Sequence, residues 1–232
     1  MSLPLMVDVP CASLALGQNY DRRHRHFLNL GAGVQSTTLA LMFERGEIVD
    51  PDGHPIQLAA AIFADTQEEP GSVYRHLDWL LHTIRNYPVL VRTKSKLGDD
   101  LMKRENSTRQ RFASIPVYTK TEGDKKEGQV RRHCSQEYKV RVIEQTIRRD
   151  CLGLKPGRRV PAGIQVFQYI GFSLDEAGRA SRLVAGNLRR KLGNGRIHSI
   201  GKLTRFASWS YRFPLIENQY TRSDCKAYLS GV

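Results

Sequence analysis

The sequence predicts one α/β/α domain around a mostly parallel sheet, on three observations. Short apolar runs alternate with segments of helical periodicity from Phe27 to Val91, the pattern of strand–helix–strand units. The first run ends in Gly31-Ala32-Gly33 directly before an apolar-periodic segment, which reads as a strand-to-helix turn. The chain has 232 residues, enough for one domain with a sizeable core. It has no apolar run of about 18 residues, so no membrane span is expected.

The elements follow in order. Phe27-Leu28-Asn29-Leu30 is a buried strand, and Leu39, Met42 and Phe43 recur at helical spacing up to a stop at Gly46. Pro51-Asp52-Gly53 marks a turn. Leu58 to Ala64 fits a buried parallel strand. Pro70 suits the first turn of a helix whose stripe is Val73, Leu77, Leu80, Leu81 and Ile84. Val89-Leu90-Val91 is the third strand, and the order implies right-handed crossovers. Arg92 to Gln129 is polar and charged, with a short helix expected over 97–104 and a lid-like loop over 119–129. Ser135 caps a helix to about Arg149 with Tyr138, Val142 and Ile143 inward, and Lys155-Pro156-Gly157 breaks the chain. Val166 to Phe172 is a strand, Gly186 to Gly201 a loop, and Asp224 to Leu229 a terminal helix. Residues 1–20 read as a tail or edge segment with no basic stretch of a signal peptide, leaving 21–232 as the domain. No internal repeat is seen.

The formal charge of +13 favours phosphate-bearing or polyanionic partners. Between Ala177 and Ile216 stand nine Lys or Arg and no acid, with Phe206, Trp209, Tyr211 and Phe213 close by. This stretch is either a solvated basic face or a contact surface for tRNA or DNA. The four cysteines, Cys11, Cys134, Cys151 and Cys225, are widely spaced without a Cys-x-x-Cys. That usage fits reduced thiols and a cytoplasmic protein.

Gly31-Ala32-Gly33-Val34-Gln35-Ser36-Thr37 is a candidate phosphate cradle: such a turn aims backbone N–H groups and a positive helix end at one point. It lacks the Lys of a Walker loop and the third glycine of a dinucleotide fingerprint. An ordinary turn with a Ser cap is the alternative. In an open parallel sheet, ligands lie beyond the carboxyl ends of the strands. Asp65 and Thr66 would share that edge, Asp65 either aiding Mg²⁺ or capping a turn. Arg131, Arg132 and Lys139 would supply positive charge. Cys134, after two arginines and before a helix start, is either a nucleophile, a metal ligand with Cys225, or an inert thiol.

Gly-Ala-Gly-Val-Gln-Ser-Thr resembles the Ser-Gly-Gly-x-Asp-Ser-Thr signature of the PP-loop superfamily, the adenine nucleotide alpha hydrolases. Gly33, Ser36 and Thr37 match directly; Gly31 stands at the first Ser, Ala32 at the first Gly and Gln35 at the Asp. Asp65-Thr66 with Glu68-Glu69-Pro70, Arg132-His133-Cys134-Ser135 with Tyr138-Lys139, Gly171-Phe172-Ser173-Leu174-Asp175-Glu176 with Arg179, and Phe213-Pro214 with Arg222-Ser223-Asp224-Cys225 are similar, in order, to blocks of the phosphoadenosine phosphosulfate reductase-like branch. The resemblance covers about residues 27 to 225. It implies a Rossmann-like sheet of PP-loop (HUP) type, ATP or a related adenine nucleotide with Mg²⁺ as cofactors, and adenylyl or sulfur-transfer chemistry. Gly31, Ala32, Gly33, Gln35, Ser36, Thr37, Asp65 and Thr66 would bind the nucleotide, with Cys134, Lys139 and Arg132 catalytic. An iron–sulfur cluster on Cys134 and Cys225 is a further expectation. Relatives carry a later Cys-x-x-Cys-Pro segment, and this chain stops at Val232, about where it would begin. The Glu-Cys-Gly-x-His motif of sulfate-assimilation reductases is missing from it, which disfavours that reduction. The rivals are a binding module without catalysis, which Gln35 favours, and an iron–sulfur redox protein. A homo-oligomer is compatible with the sequence.

Overall fold

A computed structural model describes residues 23–103, 135–188 and 208–232, and the backbone of short strands at 118–119, 128–129 and 205–206; at 184–188 it describes backbone only. The tail over 1–20 lies outside these residues.

The sheet begins with β1 (His24–Leu30), β2 (Ala60–Asp65) and β3 (Val89–Thr93). β6 (Gln165–Ile170) and β8 (Trp209–Arg212) complete five parallel strands in the order β3-β2-β1-β6-β8, and β7 (Arg205–Phe206) adds an antiparallel edge. The short strands β4 (Tyr118–Thr119) and β5 (Gly128–Gln129) pair separately. Parallel pairing places Leu28 opposite Ala61 on one side and Tyr169 on the other. Strand order therefore reverses at β1.

Two apolar layers sandwich this sheet. Helices α1 (Val34–Glu44), α2 (Gly71–Thr83) and α7 (Arg222–Ser230) cover one face with Leu39, Met42, Phe43, Leu77, Leu80 and Cys225. On the other, α4 (Arg141–Thr146) packs Val142, Ile143 and the following Ile147 against Phe27, Ile62 and Val166. This three-layer, Rossmann-like architecture is the fold class expected from the alternation of strands and helices. α1 is buried continuously from Thr37 to Phe43, because it lies under other helices as well as on the sheet, and a helix apolar all round has no solvent face.

Wide π-type turns, Ser135–Val140 and Ile147–Cys151, flank α4, so one continuous helical segment covers the 135–149 helix expected. Short α3 (Leu97–Lys103) is also present. One expectation needs correction. α5 (Ala177–Leu188) continues through Gly186, where a loop was expected; one glycine costs a helix only about 1 kcal/mol. Trp209–Arg212 is a strand, followed by α6 (Pro214–Glu217), neither of which the sequence pattern announced. No helix among the described residues is long and apolar enough to cross a membrane.

Candidate functional site

The glycine turn lies at the carboxyl end of β1, where strand order reverses and open α/β sheets form their ligand crevice. The amides of Gly31 and Gly33 both donate to the Ser36 hydroxyl, at 3.2 and 3.1 Å. That hydroxyl donates to the Gly33 carbonyl at 3.1 Å. Two backbone donors thus converge on one oxygen at the start of α1, in an exposed loop, where the helix dipole adds positive potential. An anionic oxygen replacing the hydroxyl would keep both bonds, and charged acceptors make stronger ones.

Ala32, between them, is buried and left-handed at φ 51°. Gln67, just past β2, is likewise left-handed at φ 60°. Both are strained for side chains with a Cβ, and strain collects at functional sites. Ala32→Gly should change stability by less than about 1 kcal/mol, since relief of strain and lost methyl burial oppose each other. Ala32→Val should lose more than about 2 kcal/mol, because a β-branched residue fits this region worst; urea unfolding of the two variants checks the difference.

Gly171, at the end of β6, forms the opposite wall. A Cβ there would meet Ser36 Cα and N at 2.9 Å each and Gln35 C at 3.1 Å. The first turn of α1 is therefore seated directly on the β6 terminus. Gln35 Nε2 donates to Glu176 Oε2 at 3.1 Å, and Arg179 pairs with the same carboxylate. Asp175 accepts the Arg222 amide at 2.7 Å, so it holds the start of α7.

At β2, Asp65 Oδ1 accepts the Gln67 amide at 2.8 Å and the Tyr74 hydroxyl at 2.9 Å. Burial, then this bond to Asp65, pushes the Tyr74 hydroxyl up to about 12. Asp65 Oδ2 makes no hydrogen bond among the described residues. Lys139 pairs with Glu69 at 2.7 Å, which brings the start of the α4 segment to the β2 loop. Thr66 is buried and donates to Glu69 at 3.2 Å, and Thr37 is buried against His76 Nε2 at 2.8 Å. These two threonines are buried along the edge. The desolvation that encloses His76 lowers its pKa.

Beside this edge, Asp100 accepts the Ser95 and Tyr138 hydroxyls, both at 2.5 Å, while Lys94 lies 4.8 Å from the Tyr138 ring centre. Burial raises the Asp100 pKa, but these hydroxyls and the charges of Lys94 and Lys103 outweigh it and hold the carboxyl below its ordinary 3.8. A depressed folded-state pKa gives stability above the unfolded value that is lost as pH falls through the folded one. Thermal stability should therefore decline below about pH 4. Tyr138→Phe should lower the midpoint at neutral pH by about 1.5–3 kcal/mol equivalent and flatten the acid decline, as melting curves between pH 3 and 7 would record.

Part of the basic, aromatic stretch lies within the described residues. Trp209 and Phe213 are buried, Tyr211 lies at the edge of two apolar layers, and Arg212 pairs with Glu217 at 2.6 Å. These aromatics fill the core and do not form an exposed stacking surface. Residues 189–204 lie outside the described part, as do Arg131, Arg132, His133 and Cys134. Cys225, on α7, is fully buried against α1, and burial raises its thiol pKa, which disfavours the free thiolate. Among the described residues no three His, Cys, Asp or Glu side chains gather as a metal site.

Sequence reasoning did not single out Gly171 as a wall, the Gln35–Glu176 link or the Tyr74–Asp65 bond. Gln35, Asp65, Gly171 and Glu176 carried a signal through the blocks in which they lie, and Tyr74 carried none. Comparison with protein-family models, with characterised proteins and with solved structures returned no match.

Proposed function

We propose that the chain binds an adenine nucleotide with its phosphates on the Gly31–Gly33 turn, and that it is an ATP-dependent adenylyl or sulfur-transfer enzyme of PP-loop type, similar to the phosphoadenosine phosphosulfate reductase-like branch. The observation that carries this reading is the convergence of the Gly31 and Gly33 amides on a single oxygen at the start of α1. Its location where strand order reverses supports the same reading. So does the strained backbone: Ala32 is left-handed where the similar motif carries its first glycine.

In this account the attacking carbonyl or carboxylate oxygen of the acceptor bonds to the α-phosphorus, and the bond to the β-phosphate oxygen breaks to release pyrophosphate. The loop amides and the α1 dipole neutralise the phosphates, and positioning supplies most of the acceleration. The Asp65 Oδ2 fits Mg²⁺, which takes one or two carboxylates along with phosphate oxygens. When bound, Mg²⁺ would add positive charge to the polyphosphate. Lys139, held by Glu69, supplies a further cation at this edge. The buried Cys225 gives no support to an iron–sulfur cluster.

A second reading is a nucleotide-binding module without turnover. It is favoured by Gln35, a neutral residue tied to Glu176 where the similar motif has Asp. One panel tests both. ATP, AMP and phosphoadenosine phosphosulfate, each with and without Mg²⁺, are added at about a hundred times Kd, which stabilises by about 2.7 kcal/mol or roughly 5–10 °C. Pyrophosphate is then measured with ATP, Mg²⁺ and bulk tRNA or DNA. A shift with pyrophosphate release supports the enzyme, a shift without release supports the module, and no shift with any nucleotide removes both.

A further inference from the structure

Away from the nucleotide edge, the end of α4 and the loop after it enclose a cleft of about 470 Å³. Arg141, Arg148 and Arg149 stand on the helical wall, and Lys155, Arg158 and Arg159 on the loop wall. The one carboxylate in its lining is Glu144, which accepts the Tyr211 hydroxyl at 3.3 Å. Nearby Asp150 is taken by Arg92 at 2.9 Å. Among the described residues, Arg141, Arg149, Lys155, Arg158 and Arg159 make no ion pair. Arg148 is held over the Trp209 ring, 5.1 Å from its centre.

We propose that this cleft binds the phosphate backbone of a nucleic acid. A solvated basic face would spread its cations on a convex surface with interleaved acids. Here six cations converge on one concavity with a single carboxylate among them, which raises a local positive potential. Five of the six are arginines, whose planar forks match phosphate oxygens in pairs. The helical wall from Arg141 to Arg149 is roughly 12 Å long, about three phosphate steps along one strand of a duplex. The same helical segment starts at Ser135 and carries Lys139, which reaches Glu69 beside the nucleotide edge. The proposal deepens the nucleotide reading by assigning the surface for a nucleic-acid acceptor, and rests on that reading for the acceptor role alone.

The test is fluorescence anisotropy with labelled 24-base-pair DNA and RNA duplexes between 50 and 200 mM KCl. The chain should bind with log K falling against log salt at a slope of about −4 to −5, and the two arms identify which nucleic acid it prefers. The triple variant Arg141→Glu, Arg149→Glu, Arg158→Glu should lose at least tenfold in affinity and flatten the slope by about three. A control with the same charge change at exposed positions elsewhere, Arg85→Glu, Arg222→Glu, Lys226→Glu, should lose far less. Equal losses in the two variants, unchanged binding by the cleft variant, no binding by the unaltered chain, or poly-glutamate competing as well as DNA would each overturn the proposal. DNA binding that persists while no nucleotide shifts the melting point would remove the nucleotide reading and leave the cleft standing.

Discussion

Gly171→Ala should abolish nucleotide-induced stabilisation and lower the folding free energy by about 2–3 kcal/mol, the upper part of the range for overpacking. The added Cβ would lie 2.9 Å from Ser36 Cα and N and 3.1 Å from Gln35 C. All three are backbone atoms, so no rotamer change relieves the clash. Either β6 or the first turn of α1 must move, and Ser36 carries the hydroxyl on which the loop amides meet. Gly178→Ala is the matched control: no atom lies within 4 Å of its Cβ position, and it stands in α5. That change should be neutral or stabilising by up to about 1 kcal/mol. Urea unfolding and a nucleotide thermal-shift assay on both variants check this. Retained stability with Gly171→Ala would mean that the α1 turn is not seated as described.

Trp209→Ala should cost about 3–5 kcal/mol, the usual loss for a buried Trp. Its ring is buried in the layer beneath α4, its Nε1 donates to Gln168 Oε1 at 3.0 Å, and Arg148 lies over it. Truncation opens a cavity and leaves the buried Gln168 carbonyl oxygen without that donor. An exposed stacking residue would behave in the opposite way, losing nucleic-acid affinity at constant stability. Chemical denaturation beside anisotropy separates the two, and an unchanged unfolding midpoint would restore the surface reading of this aromatic stretch.

The first half of the fold was legible because its signals are local. β1, α1, β2, α2 and β3 each carry their own period and their own punctuation, such as Gly46 with φ 70° and Pro70 before α2. β8 was not legible, because its four residues, Trp209 to Arg212, alternate weakly and sit at the end of a basic run. Its charge and aromatic content suit a surface as well as a core, while its burial follows from pairing with β6. The convergence of the glycine-turn amides could be read because its groups lie within six residues. Its walls could not: Gly171 meets Ser36, and Glu176 meets Gln35, only after the β1–β6 register is set. The basic cleft is of the same kind, since Arg158 and Arg159 join Arg148 and Arg149 only when the chain turns after α4.

The most direct measurement is the amide spectrum of ¹⁵N-labelled protein during titration with ATP and Mg²⁺. Gly31, Gly33 and Ser36 should show the largest chemical-shift changes, with smaller ones at Asp65 and Gly171 and none at Arg158. A response centred on any other part of the chain, or saturating ATP that leaves the two glycine amides where they were, would contradict a phosphate site on this turn.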